Sequence, residues 1–449
     1  MTPIIGRYVQ FVLAPFNRSH VNFVSSSALV MVFPMISAPI VARLYTPSDF
    51  GVYAVFFSLT TILSMVSTLE LRNVAFLEET REGGANGALL ALSAVLIISL
   101  TILAVVIAVP KTWLLPLLGP GFVPFLIWLP FTIFLMGVGL VLNAWATREK
   151  EFNTLARINL ILGLSTMLFQ IGIGSFSPGP IGLIVSNLLG LALGGALLTM
   201  LFIRTLRELR LAFNLRSALA QFRKHYRLTV WMMPGTLVNS LSQFLPDLLI
   251  NRFFGTALLG QYSLAIRMVN MPIAFLSNSL QRFFQQQASE EFNTHGHCKG
   301  SFWRFYLLTA AGALFIIVPV ILIVPYIFPI LFGAQWTEAG TLVQAVAFLT
   351  IARFISSPLS YIWIIRGRQR LNFLWQIGLL VISLCALVLP PVLIENVTLY
   401  ATLWIFSLSV GAWYIVAICV SYGLSSYSEQ KNPESGVKQA SQRDAGDLG

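Results

Sequence analysis

Two arginines lie where a charge is costly. Arg267 sits inside "LLGQYSLAIRMVNMPIAFLS" and Arg353 inside "TLVQAVAFLTIARFISSPLS", runs of apolar residues interrupted mainly by small hydroxyls and amides. A charged side chain near the middle of a membrane-spanning helix costs about 2.5–3.5 kcal/mol even on the lenient insertion scale, so each must face protein or water. The guanidinium fork matches phosphate or carboxylate oxygens better than an ammonium does. Two chemistries follow: an anion-binding group in a wet cavity, or a structural ion pair. Asp247, near the outer end of the preceding apolar block and at a similar depth to Arg267, keeps the second open. Protonation of Asp247 would release Arg267, and would tie ligand binding to a proton.

The polar neighbours of these charges share helical faces. Arg267, Asn270, Ala274, Asn278 and Gln281 recur every three to four residues and form one stripe. Asn239, Ser240, Ser242 and Gln243 make the preceding block unusually polar. These residues are the candidate cavity lining. Covalent chemistry finds no comparable support. There is no phosphate-cradling GxxxxGK[ST] run, and no acid/base constellation in a large outer loop. His295, His297 and Cys298 in "HGHC" lack a fourth ligand, and Cys298, Cys385 and Cys419 have no paired or metal-like spacing. The expectation is a protein that is not an enzyme, with no cofactor and no metal.

The elements that must position these residues are spanning helices. Of 449 residues, 57% are hydrophobic and 10% charged, with a mean hydropathy of +0.80. Soluble domains carry roughly 25% charged residues. The net charge of +11 does not point to nucleic acid, because the basic residues fall between apolar blocks rather than on one soluble face. A spanning helix needs about 20 apolar residues. Twelve blocks qualify: 22–41, 50–70, 86–109, 122–145, 155–174, 181–203, 229–250, 260–281, 302–324, 341–364, 373–390 and 397–420. The N-terminal stretch lacks the features of a signal peptide, so the first block is expected to be retained.

Charge sets the orientation, because Lys and Arg concentrate in cytoplasmic loops. With an inward N-terminus and twelve spans, Arg43, Lys111 and Arg252 fall outside, Arg267 and Arg353 fall within spans, and the other 23 of 28 basic residues fall inside. The expected fold is all-α and polytopic, with twelve transmembrane helices in two six-helix lobes around a central cavity and both termini cytoplasmic. The divisions are a cytoplasmic segment 1–21, an N-terminal lobe 22–203, a basic linker 204–228, a C-terminal lobe 229–421 and a disordered tail 422–449. The linker reads either as an amphipathic helix on anionic lipid or as a plain positive-inside connection.

The halves echo each other. "FGVYAVFF" opens the second span and "GQYSLAIRM" the eighth, so Gly51 aligns with Gly260 and Tyr53 with Tyr262. Such an internal repeat is a feature of transporters whose halves move about a central site. These segments resemble the polysaccharide biosynthesis and O-antigen flippases of bacteria, within the multidrug/oligosaccharidyl-lipid/polysaccharide exporter superfamily. The resemblance rests on Pro47, Phe50, Gly51 and Tyr53, and on Gly260, Tyr262, Ala265, Arg267 and Pro272, and extends over residues 22–421. The chain departs from the family at "ELRNVAF", where Asn73 takes the place of an acidic neighbour.

The resemblance implies a multi-pass protein of the bacterial inner membrane. It would move undecaprenyl-pyrophosphate-linked oligosaccharide, for O-antigen, lipopolysaccharide or exopolysaccharide, to the periplasmic leaflet by alternating access. Arg267 and Arg353 would then meet the pyrophosphate. Partners would be the lipid-linked oligosaccharide, anionic lipids, a polysaccharide polymerase, a chain-length regulator, and a proton or sodium ion. Two alternatives stand beside this reading. A cation-coupled small-molecule exporter fits the basic cavity less well, and a glycan polymerase or ligase fits the short outer loops less well.

Overall fold

The computed structural model describes residues 33–110, 121–210 and 215–426. The expected segment 1–21, the beginning of the first span, Lys111 and most of the expected tail lie outside these residues. The described chain is helical, with no strand. In order, the helices are α1 (Phe33–Leu44), α2 (Pro47–Ser67), α3 (Val74–Leu77), α4 (Arg81–Ala108), α5 (Leu129–Arg148), α6 (Phe152–Phe176) and α7 (Pro180–Glu208). There follow α8 (Leu215–Phe254), α9 (Thr256–His295), α10 (Lys299–Gly312), α11 (Val318–Phe332), α12 (Thr337–Ala345) and α13 (Ala347–Leu359). The last three are α14 (Ile362–Ile365), α15 (Gln369–Leu393) and α16 (Leu399–Ser426).

Nine helical spans among the described residues are long and apolar enough to cross a membrane, so the chain is an all-α polytopic membrane protein. The other three of the twelve apolar blocks coincide with α1, which is short within the described residues, and with α8 and α9, which are long but more polar. At 40 residues each, α8 and α9 extend about 60 Å, roughly twice the hydrocarbon thickness. The basic stretch 204–228 is divided between the end of α7 and the first turns of α8. α16 remains helical through Ser426, past the residue where the tail was expected to start.

Local chemistry fixes the helix that matters most. Thr46, Pro47 and Asp49 start α2 with a capping box: the Asp49 N–H donates to Thr46 Oγ1 at 3.3 Å, and the Thr46 N–H donates to Asp49 Oδ2 at 2.8 Å. Proline at the first helical position loses no hydrogen bond there. At its far end α2 stops in Leu69 and Glu70, both left-handed with φ of 49° and 58°. Neither residue type favours that conformation. Glu70 is buried and accepts from Asn73 Nδ2 at 2.7 Å, so the "ELRNVAF" corner is held by its own side chains.

α2 packs most extensively on α9, and the repeat explains how. A Cβ on Gly51 would run into the Thr256 carbonyl oxygen, and one on Gly260 into that of Pro47. Each glycine thus faces the backbone one turn upstream of the other, so the crossing is reciprocal. Ser48 and Thr256 hydroxyls meet beside it at 3.2 Å. At this end Trp336 Nε1 and Gln335 Nε2 both donate to the Ala42 carbonyl at 2.8 Å, and Gln261 Nε2 donates to the Gln335 carbonyl at 2.6 Å. Trp336 is fully buried, edge-on to Phe50.

One apolar core joins residues of both halves of the chain around this crossing. At the basic end the cores separate, one built from α3, α4, α5, α6 and α7 with Leu71, the other from α9, α10, α13, α14 and α16. A polar seam between α2 and α8 bridges the halves instead. Along it, Ser240 Oγ lies 2.9 Å from Met65 Sδ, and Thr229 Oγ1 donates to the Leu69 carbonyl at 2.8 Å. Beyond α3, Glu78 Oε1 accepts from Lys224 Nζ and His225 Nε2, both at 2.6 Å.

Two outcomes are expected. Gly51→Ala and Gly260→Ala each overpack a backbone contact, and should lower stability by about 1–3 kcal/mol in detergent thermal unfolding. Donation from Lys224, and then from His225, holds the Glu78 carboxyl below the usual glutamate range. Its stabilising contact is therefore present above the ordinary carboxylate value and lost as pH falls through the lowered one. On acidification, the melting temperature of the wild type should fall more steeply than that of Glu78→Gln.

Candidate functional site

Two of the charges singled out in the sequence, Arg267 and Asp247, meet α2 near the glycine crossing. Two residues on from Gly51 and Gly260, the two motif tyrosines are buried, 5% and 7% exposed. Arg267 on α9 places its guanidinium over the rings of Tyr53 and Phe57 on α2, 5.5 Å from each centroid. Such stacking is worth about 0.5–2 kcal/mol, depending on desolvation. Helical spacing allows it, because Tyr53 and Phe57 are four residues apart on one face of α2. Phe244 of α8 stands edge-on to Phe57, 6.4 Å between centroids, and closes that side.

Asp247 does not form an ion pair with Arg267 among the described residues. Its Oδ2 accepts instead from Ser58 Oγ on α2 at 2.6 Å, which links the two halves directly. Arg267 remains close enough to act electrostatically on both Asp247 and Tyr53. Tyr262 stands within the fields of Asp247 and Arg353. Thus Arg267 of α9 and Asp247 of α8 both contact one stretch of α2, at Tyr53, Phe57 and Ser58. Pro246 precedes Asp247 within α8 and has no N–H to donate, which leaves a helix carbonyl free near the carboxylate.

The remaining lining candidates spread away from this cluster. Arg353 is exposed on α13 between the buried Ala352 and Phe354. Asn239, Gln243 and Asn278 are exposed; Asn270 and Gln281 are half-buried. Gln243 Nε2 donates to Asn239 Oδ1 at 3.3 Å, an i,i+4 pair on α8. Pro272 lies within α9 and is exposed. Phe57 and Ser58 had no distinguishing mark in the sequence; their i,i+4 and i,i+5 offsets from Tyr53 are the one signal that could have found them. His297 lies 3.7 Å from Glu291, in the loop that caps α10, and no group of described side chains could hold a metal. A cavity of about 550 Å³ lined by α15 and α16 residues, including Cys385, Leu389 and Trp413, is apolar and shares no residue with the charged cluster.

The arrangement places a guanidinium of α9 and a carboxylate of α8 against the same stretch of α2. Its cross-half bond is measurable. Ser58→Ala leaves a half-buried carboxylate oxygen without its donor and should cost about 1–3 kcal/mol in thermal unfolding. Ser58→Ala combined with Asp247→Asn should be less destabilising than the sum of the two single changes.

Comparison with known proteins places this geometry. The sequence profile of the family described as "Polysaccharide biosynthesis protein" matches residues 40–341. Teichuronic acid biosynthesis protein TuaB of Bacillus subtilis (strain 168) is 24% identical over 200 residues, 44% of this chain and 41% of that protein. The matched stretch therefore spans well under half the length of that relative. Among solved structures, lipid II flippase MurJ in an inward closed conformation superposes with a TM-score of 0.67 at 13% identity, over 90% of this chain and 87% of its own. An inward-facing multidrug resistance MATE family transporter of the MOP superfamily gives 0.63 at 14% identity, over 88% and 93%. The chain belongs to the polysaccharide biosynthesis protein family and has the fold of the MOP superfamily of membrane transporters.

Proposed function

We propose that this protein flips undecaprenyl-pyrophosphate-linked oligosaccharide, of the O-antigen or exopolysaccharide kind, from the cytoplasmic to the periplasmic leaflet of a bacterial inner membrane. The observation that carries the reading is the contact of Arg267 and Asp247 with Tyr53, Phe57 and Ser58 of α2, set between the halves of the chain near their closest crossing. A diphosphate has the charge and the oxygen geometry for two guanidinium groups. TuaB, a teichuronic acid biosynthesis protein, and MurJ, a lipid II flippase, support a glycan or glycolipid cargo.

In this reading twelve helices form two six-helix lobes with cytoplasmic termini, and the lobes rock about the α2–α9 crossing. Asn239, Gln243, Asn270, Asn278 and Gln281 offer amides to the sugar hydroxyls. Asp247 alternates between its bond to Ser58 and a protonated state, and that exchange links cargo movement to a proton. A polymerase and a chain-length regulator would receive the product outside. The basic cluster disfavours a cationic drug as cargo.

Deletion of the gene, followed by counting lipid-linked oligosaccharide on each leaflet, tests the assignment. Accumulation on the cytoplasmic leaflet is expected; unpolymerised product already outside would identify a polymerase instead. Arg267→Gln and Arg353→Gln, at normal folded levels, should each reproduce the deletion. Asp247→Asn should flatten the pH dependence of transport, and full pH-dependent activity in that variant would remove the proton from the mechanism.

A further inference from the structure

The α2–α8 seam ends, at the basic face, in a contact with the chemistry of an anion site that is already filled. Two basic side chains from one helix, Lys224 and His225, converge on the single oxygen Oε1 of Glu78 at 2.6 Å each. The side chains of Glu78 and His225 are only 10% and 12% exposed, whereas Lys224 is 62% exposed and open to solvent. The carboxylate belongs to the turn between α3 and α4, and both donors belong to α8. One carboxylate neutralises only one of the two positive charges when His225 is protonated. A ligand carrying two or more negative charges matches the pair better.

Two cations near Glu78 have partners within their own half. Arg148 donates through Nη2 to the Thr80 carbonyl at 2.7 Å, and through Nη1 to that of Ala75. Arg81 pairs with Glu149 at 2.7 Å and with Glu208 at 3.3 Å. Lys224 and His225 instead share a single carboxylate from the opposite half. Losing that partner would release the turn between α3 and α4 from α8 at this end. The apolar cores of the two halves are separate here, and the hydrogen bonds along the described seam include Thr229–Leu69 and Ser240–Met65. The far end, with its shared core and reciprocal glycines, would stay closed.

We propose that Lys224 and His225 are the first docking site for the diphosphate of an incoming lipid, which displaces Glu78 and so parts α2 from α8 at the basic end. This rests on the substrate class proposed above. Capture and opening are then one event, and an empty protein keeps its basic side shut with its own carboxylate.

Ser240 provides the reporter, because it is 1% exposed within the seam. The full chain is made with Cys298→Ser, Cys385→Ser, Cys419→Ser and Ser240→Cys, and reconstituted in phosphatidylethanolamine nanodiscs. Labelling by a water-soluble maleimide is then timed, with monodispersity in size-exclusion as the folding check. Glu78→Gln should speed labelling by roughly 5- to 150-fold, the usual range of coupling between linked sites. Undecaprenyl diphosphate should speed it comparably with Glu78 intact, and phosphatidylglycerol should not. The exchange Glu78→Lys with Lys224→Glu should restore slow labelling and abolish the response to the diphosphate lipid.

Unchanged labelling in Glu78→Gln would overturn the clasp. An equal response to phosphatidylglycerol, or a lipid response that survives the charge exchange, would overturn the docking site. The leaflet count is read separately: a labelling response without a leaflet defect on deletion rejects the transport reading, while a leaflet defect without a labelling response rejects this one.

Discussion

The structure depends on how closely two backbones can approach where α2 crosses α9. Gly51 and Gly260 leave no room for a Cβ, each being covered by a carbonyl one turn before the other. Without side chains at the crossing, the helices come close enough for Tyr53 to lie under Arg267 and for Ser58 to reach Asp247 across the interface. A larger residue at either glycine would displace every contact further along both helices, because rigid helices transmit a local separation along their length. The charged cluster is held in place by this steric constraint more than by its own attractions.

The two ends of the bundle are built from different physics. Around the crossing, apolar side chains from both halves share one core, and buried amide and indole N–H groups meet backbone carbonyls. At the basic end each half has its own core, and a few hydroxyl, thioether and charged contacts span the gap. Hydrogen-bonded and ionic contacts of this kind can be exchanged for other polar partners, whereas buried apolar packing cannot.

Much of the scaffold was legible in the sequence, for reasons that can be named. Long apolar blocks identify spanning helices because unsatisfied backbone groups are excluded from hydrocarbon. α8 and α9 show the limit of that rule: their amides, Asp247 and Arg267 lower the apolar signal in the helices that carry the charged cluster. Arg267 stood out because an intramembrane charge is rare, and Gly51-x-Tyr53 stood out because it recurs at Gly260-x-Tyr262. Ser58 and Phe57 are ordinary residues for such a helix and carry no signal until their partners are known. Asp247 was legible as a charge, but the choice between Arg267 and Ser58 as its hydrogen-bonding partner was not.

The sequence alone determined that this chain is a bundle of membrane helices with two arginines that need a protein or water environment. Those conclusions follow from composition and periodicity, which are local properties. Only the tertiary structure decided that Asp247 binds across to Ser58, that Arg267 stacks on Tyr53 and Phe57, and that Glu78 meets Lys224 and His225. Each of these joins residues about 150 to 210 positions apart. Their meeting is set by the angle and closeness of helix packing, which no single segment encodes.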